Sequence, residues 1–353
     1  MSRADYRLVE HRESVFLDFY EFHLKYRAHP GGVYYLIPYL RDHFGWDDEQ
    51  TLWYAFLNGN TQNPITSLIL HQSGDRPDQY EAVIDAWRRD YDRLEFDTDR
   101  RYHKKNFERS VRGYMDTVWG SQMEFWSDAA SGGFSHVWVQ ARRIPTFGRL
   151  SAFSYSEYLR IAGLDFDCDT LFLNDIDGSR SHRNGLCIVS GRDVYDWHDS
   201  NPDFPGSYPR WLIDELNDTA HSLLDQMKAR SQGKDYERDV SLFTLESALC
   251  TYKSWHRPNR RYPNVYNDML YDRIKKNERL WADRDLGVFW EARRAALPDY
   301  LRLEDMPTDP GLVPIKQNHY RLTGQVIMMD RDYPQYQNDF NDGVRAGIYG
   351  QRP

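Results

Sequence analysis

The chain has 353 residues and a formal net charge of −9, which excludes a protein that coats nucleic acid indiscriminately but leaves room for a local basic face. Hydrophobic residues make up 40% and aromatics 15%, with 11 Trp and 25 Tyr, so the chain buries a core and is not disordered. Cys168, Cys187 and Cys250 are widely spaced, which fits a reducing compartment and offers no zinc spacing.

The stretch MSRADYRLVEHRES is charged and has no apolar centre, and no apolar run approaches the ~20 residues that span a bilayer. An intracellular protein without a membrane partner is expected. Apolar residues recur at helical spacing over 14–28 and 32–44, and His29-Pro30-Gly31-Gly32 breaks between them. A third helix is expected from Trp46 to Phe56, ended by the polar break NGNTQNP, and a fourth from Ile65 to Gln72. Pro77-Asp78 opens a fifth that runs to about Tyr91. Residues 100–126 read as one or two helices, and the basic run RRYHKKNFERSVR from Arg100 as a solvated face or a peripheral DNA contact. Gly132-Gly133 marks a loop.

Beyond Gly163, LDFDCDTLFLNDIDGSRSHRNG reads as a loop crowded with aspartates. Asn201 to Pro209, with Pro202, Pro205, Gly206 and Pro209, reads as a linker. Helices follow at roughly 211–230, 239–255, 264–283 and 287–296, and a Pro-, Gly- and Tyr-rich tail begins at Met306. The class is mainly α. The expected domains are a helical core over 1–200, a helical extension packing on it over 201–305, and an irregular tail over 306–353.

Three stretches carry the candidate chemistry. The first is RRIPTFGRLSAFSYSEYL from Arg142. A helix pair joined by apolar–Pro–x–apolar–Gly exposes N–H groups at the start of its second helix, and these bind a phosphate without reading sequence. Gly148 allows close approach, Ser151 and Ala152 are small, and Arg142, Arg143 and Arg149 add charge, with Thr146 in the bend. An ordinary helix start is the plain alternative. Ile144, Pro145, Phe147, Gly148 and Ala152 resemble the helix-hairpin-helix of base-excision DNA glycosylases, Leu-Pro-Gly-Val-Gly-x-x-Thr-Ala. Thr146 stands where the first glycine belongs, which predicts a tighter turn. Leu150 stands where a bifunctional glycosylase holds its Schiff-base lysine, so an aldehyde-trapping lyase is not expected.

The second is DIDGSRSHRNGLC, in which Asp177 resembles the aspartate that follows the hairpin in those glycosylases. Arg180, His182 and Arg183 follow it in the next turn. Asp167, Asp169 and Asp175 are rivals, and an Asp N-cap is the structural alternative. The third is FLNGNTQNPITSLIL, whose Gln62, with Asn60 and Thr61, resembles the segment that fills the space left by an extruded base. A capped turn ahead of Pro64 explains the same spacing. A further basic and aromatic stretch, TYKSWHRPNRRYPNVY, supplies Lys253, Arg257 and Arg261 as candidate contacts to DNA or leaving-group phosphates, or a solvated face.

Taken in order, NGNTQNP, the hairpin, SHRNGLC with Gly191-Arg192, and LESALCTYKSW with RRYPNVYNDMLYDRI resemble the phage α-glutamyl/putrescinyl-thymine pyrophosphorylase-like family. These amino acid:DNA transferases are related to the helix-hairpin-helix glycosylases. The resemblance runs from about Phe56 to Leu280. It implies a helix-hairpin-helix glycosylase-like helical fold with a C-terminal helical extension. It also implies a phage-encoded enzyme of the host cytoplasm, expected to be a monomer, acting on double-stranded DNA with 5-hydroxymethyluracil already pyrophosphorylated. The amine of a free amino acid or a polyamine would displace pyrophosphate. In that reading Asp177, Arg180, His182 and Arg183 are catalytic, and Arg142, Arg143, Thr146, Gly148, Arg149, Ser151, Asn60 and Gln62 hold DNA. No cofactor is required and no metal site is assigned, although Mg2+ assistance to pyrophosphate departure stays open. A glycosylase that excises a modified base, and a non-catalytic DNA-binding protein, are the competing classes.

Overall fold

The computed structural model describes residues 8–25, 27, 32–118, 120–197, 201–253 and 269–296. Among the described residues there are fourteen α-helices and no strand, as the mainly α expectation requires. They are α1 (Val9–Lys25), α2 (Val33–Phe44), α3 (Asp48–Thr61), α4 (Pro64–His71), α5 (Tyr80–Arg89), α6 (Phe107–Thr117) and α7 (Gln122–Ser131). After these come α8 (Phe134–Arg143), α9 (Arg149–Ile161), α10 (Arg180–Val189), α11 (Arg210–Ser231), α12 (Leu242–Tyr252), α13 (Met269–Leu280) and α14 (Gly287–Ala296). None of them is long and apolar enough to cross a membrane.

The chain forms two compact units that are interleaved in sequence, one of residues 1–30, 170–268 and 297–353 and another of residues 31–169 and 269–296. In the second unit α3 is the axis. Every residue from Thr51 to Thr61 is buried, so the helix is enclosed on all sides rather than amphipathic. Its start is a capping box between Asp47 and Gln50. Trp53 and Phe56 pack with Tyr114, whose ring centroid lies 3.8 Å from that of Phe56. The first four residues of the expected break NGNTQNP are the last turn of α3, and the break itself is confined to Gln62 and Asn63. Asn58 accepts from Ser67 Oγ at 3.3 Å and Thr61 Oγ1 shares 2.7 Å with the same hydroxyl, so the polar groups are satisfied inside the unit. Gly59 lies under the Tyr155 ring, where an added Cβ would sit 3.0 Å from Tyr155 Cδ2. Helix α4 then starts on an N-cap at Asn63, which accepts from Ile65 N and Thr66 N. The returning pair α13 and α14 packs on α4 and α2, and Arg273 closes an ion pair with Asp97 at 2.6 Å.

In the first unit α1 packs against α10, α11 and α12. Phe16 and Phe19 meet Tyr252 edge-on at 5.1 and 5.3 Å. Tyr20 reaches Thr244 Oγ1 at 2.7 Å. The fully buried Arg12 pairs with Asp193 at 2.7 Å and donates to the Ile188 carbonyl. Helices α10 and α12 cross where α10 carries Gly185: a Cβ there would sit 2.5 Å from the Leu249 carbonyl oxygen. That close crossing sets the first turn of α10 beside the last turns of α12, which matters below.

His71, buried at the end of α4, points Nε2 at the Gln50 carbonyl at 3.0 Å, so that nitrogen donates. Burial pushes its pKa from 6.5 down to about 4, against the opposing pull of the Gln50 carbonyl and Asp75. Because the folded value is the lower one, the unfolded chain takes up the proton first as pH falls. The stability of the second unit is therefore intact above about pH 6.5 and declines towards pH 4, by about 3 kcal/mol in all. Urea unfolding across this range should show the decline in the native chain and a shallower slope in His71→Asn.

Candidate functional site

The connection between α8 and α9 is built inside the second unit. Ile144 and Phe147 turn inward, with Phe147 edge-on to Tyr155 at 5.6 Å. Pro145 lies against Gly113 of α6, where a Cβ would come within 2.2 Å of the proline ring. Between them Thr146 has φ +74°, a conformation that costs a non-glycine residue about 1 kcal/mol or more. The threonine at the first glycine position therefore does not tighten the turn; it adopts a backbone conformation that glycine would favour.

Arg100 holds it there. This side chain is wholly buried, so Arg100 departs from the expected solvated or peripheral face, whereas Arg101, Lys105 and Arg109 of the same run are exposed. Its Nη1 donates to the Thr146 carbonyl at 2.7 Å and its Nη2 to Thr146 Oγ1 at 2.8 Å. Nε donates to the Asn60 carbonyl at 2.8 Å and Nη2 to Asn60 Oδ1 at 2.6 Å. Ser151 Oγ accepts from Nη1 at 3.3 Å and donates to Asp99 at 3.0 Å. Burial lowers the guanidinium pKa to about 10, so it stays charged at neutral pH. Asn60, Thr146 and Ser151, expected to face DNA, thus turn their side chains onto an internal arginine, and Asn60 and Ser151 are fully buried. They position the bend.

What faces outward is different. Gly148 is exposed and occupies the N-cap of α9 with φ −78°, and no atom lies within 4 Å of an added Cβ. Among the described residues no atom crowds a side chain at Gly148, and the glycine itself offers none to cap the helix. The start of this 13-residue helix carries the positive end of its dipole. Arg142 and Arg143 are exposed on the last turn of α8, over Trp138 and beside Gln140 respectively, and Arg149 is half-buried. Gln62, half-buried at the end of α3 with φ 54°, accepts from Tyr158 of α9 at 3.1 Å.

The first unit holds the other candidates. Asp175, not Asp177, organises the start of α10: its Oδ1 accepts from Gly178 N at 2.9 Å and its carbonyl from Ser179 N at 2.9 Å. Asp177 is exposed. Arg183 is fully buried and spends its guanidinium on the carbonyls of Leu173, Asp175 and Ile176 beneath Tyr208. It ties the loop down and does not reach solvent. Arg180 is half-buried and lies flat on Trp197, 3.4 Å from the ring centroid, which orients its N–H edge. His182 is buried with Nε2 at 2.9 Å from the Leu171 carbonyl and Nδ1 at 2.9 Å from Glu246 Oε1. Lys253 bonds Ser181 Oγ. Arg257 and Arg261 lie outside the described residues.

Glu246 and Cys250 were missed by sequence reasoning. With Lys253 they recur at four and three residues along α12, and that spacing alone puts them on one helix face. The aspartate-rich segment also has an order that composition hid. Leu164, Phe166 and Cys168 are buried while Asp165, Asp167 and Asp169 are exposed, a period of two in an extended chain. Asp167 pairs with Arg160 at 3.4 Å.

A family model described as amino acid:DNA transferase matches residues 38–261. The chain is also similar to a protein named serinyltransferase from Salmonella phage ViI, 28% identical over 299 residues, which is 78% of this chain and 71% of that one. No solved structure matches. The geometry of α9 sets a test with opposite signs. Gly148→Ser supplies the missing N-cap, so unfolding stability should hold or rise by a few tenths of a kcal/mol. If a phosphate uses the first turn of α9, the same hydroxyl competes with it there, so affinity for a duplex, read by fluorescence anisotropy, should fall at least tenfold.

Proposed function

Since the chain belongs to the amino acid:DNA transferase family and is a transferase that acts on DNA with amino acids, we propose the following reaction for it. It displaces pyrophosphate from pyrophosphorylated 5-hydroxymethyluracil in double-stranded DNA with the amine of an amino acid or a polyamine. Serine is the first amine to try, given the name of the phage ViI relative. The observation that carries this reading is the exposed glycine N-cap of α9 at Gly148, with the exposed Arg142 and Arg143 on the preceding helix end. That combination suits one backbone phosphate and reads no base.

A substituent on a stacked base is out of reach, so the nucleotide leaves the helix before reaction. Gln62, oriented by Tyr158, fills the gap. The amine nitrogen attacks the exocyclic methylene, the C–N bond forms, and the C–O bond breaks with its electron pair leaving on pyrophosphate. Arg180, held flat by Trp197, and Lys253 at the end of α12 receive that anion. The attacking amine must be neutral, so a base takes its proton before or during attack; the exposed carboxylate of Asp177 is assigned that role. Arg183 and His182 act through the loop and helix they hold rather than on substrate. No step is routed through Mg2+ or any other cofactor. The enzyme works as a monomer in the host cytoplasm.

Incubation with duplex carrying the activated base and a mixture of serine, glycine, glutamate and putrescine, followed by nucleoside mass spectrometry, tests this. The expected product is an intact aminated nucleoside with one pyrophosphate released per transfer, and Asp177→Asn should slow it by about 100-fold. Abasic sites in place of that nucleoside would mean a glycosylase. DNA binding with no product from any amine would mean a non-catalytic binder.

A further inference from the structure

Between α10 and α12 of the first unit three side chains of different chemistry converge. His182 Nδ1 lies 2.9 Å from Glu246 Oε1, and Cys250 Sγ lies 3.3 Å from the same oxygen. One ligand-type atom from each of the three falls within 4.8 Å of the others, and this is the sole such group of His, Cys, Asp and Glu among the described residues. The aspartates of 165–177 do not form one. None of the three acts on substrate in the reaction proposed above.

We infer that His182, Glu246 and Cys250 bind one divalent cation of the zinc class through an imidazole nitrogen, a carboxylate oxygen and a thiolate. The first argument is the orientation of the imidazole. Its Nε2 faces a carbonyl oxygen, the Leu171 carbonyl at 2.9 Å, which can only accept. Nε2 therefore carries a proton, while Nδ1 shares the proton of its contact with Glu246 Oε1, and a cation would take that proton's place between Nδ1 and the carboxylate. A ring nitrogen hydrogen-bonded to a backbone carbonyl while the other faces the ligand cluster is the usual outer-shell support of a metal-binding histidine.

The second argument is size. Ligand distances of about 2.0–2.3 Å in a tetrahedron put neighbouring donor atoms about 3.3–3.8 Å apart. The observed 2.9 and 3.3 Å need to open by roughly half an ångström or less. The third argument is charge. A carboxylate and a thiolate neutralise a divalent cation, so a nearly dry site ends without net charge. Binding would displace the Cys250 thiol proton. A sulfur donor selects zinc-like ions over Mg2+. Access exists on one side, because the Glu246 side chain is 16% exposed while that of His182 is 2%. The site would pin α10 to α12 beside Arg180 and Lys253.

The full-length chain, stripped by chelator and dialysed, is titrated with Zn2+ and with Co2+. The expected result is one cation per chain by elemental analysis and a cobalt spectrum with a thiolate charge-transfer band. Cys250→Ser should abolish that band, and His182→Gln should weaken zinc binding at least 100-fold, while Cys168→Ala changes neither. Circular dichroism checks that each variant is folded, and if His182→Gln is not, the cobalt spectra of the native chain and Cys250→Ser decide. A native chain that holds no stoichiometric cation after reconstitution overturns the inference, as does a cobalt spectrum that survives Cys250→Ser.

Discussion

One buried cation governs the candidate DNA-facing surface. The Arg100 guanidinium sits inside the second unit and five acceptor atoms of Asn60, Thr146 and Ser151 surround it. It joins the end of α3 to the bend before α9. A hydrogen bond to a charged group is worth about 1.5–3 kcal/mol, and two of these five go to Thr146. That magnitude exceeds the strain of a threonine at φ +74°, so the bend keeps its shape without glycine at its first special position. The second special position, Gly148, is under no such internal demand. The difference between these two residues separates scaffold from contact surface.

The first unit repeats the logic with another buried arginine. Arg183 ties three carbonyls of the loop ahead of α10, as Arg100 ties the bend ahead of α9. In both places an arginine with no exposed surface orders the polypeptide, and other arginines near it retain exposure. Arg180 stacked on Trp197, and Arg142 and Arg143 at the end of α8, are of this second kind. Arginine suits both jobs because its planar fork satisfies several acceptors at once and stays charged when buried.

The helices were legible because apolar spacing reports directly on which face is buried, and α1, α2, α4, α11 and α14 lie close to where periodicity puts them. What misled was polarity taken as exposure. NGNTQNP does hold a break, at Gln62 and Asn63, but Asn58, Asn60 and Thr61 find partners inside the unit and α3 runs through them. RRYHKK looks solvated, yet its first arginine is the most enclosed cation of the bend. The alternation in LDFDCDTLF was readable, and so was the spacing of Glu246, Cys250 and Lys253; both lie in local period. The pairing of Glu246 with His182 was not, because 64 residues separate them and only the crossing at Gly185 brings them together.

The central claim is that the amides at the start of α9, presented by the bend that Arg100 ties, hold a phosphate of the DNA backbone. Residue-resolved amide hydrogen exchange with and without a short duplex tests it most directly. Slower exchange at Arg149 and Leu150 on adding DNA, with the buried amides of α3 unchanged, is the result this account predicts. Unaltered exchange in that turn while the duplex is bound elsewhere on the chain would contradict it.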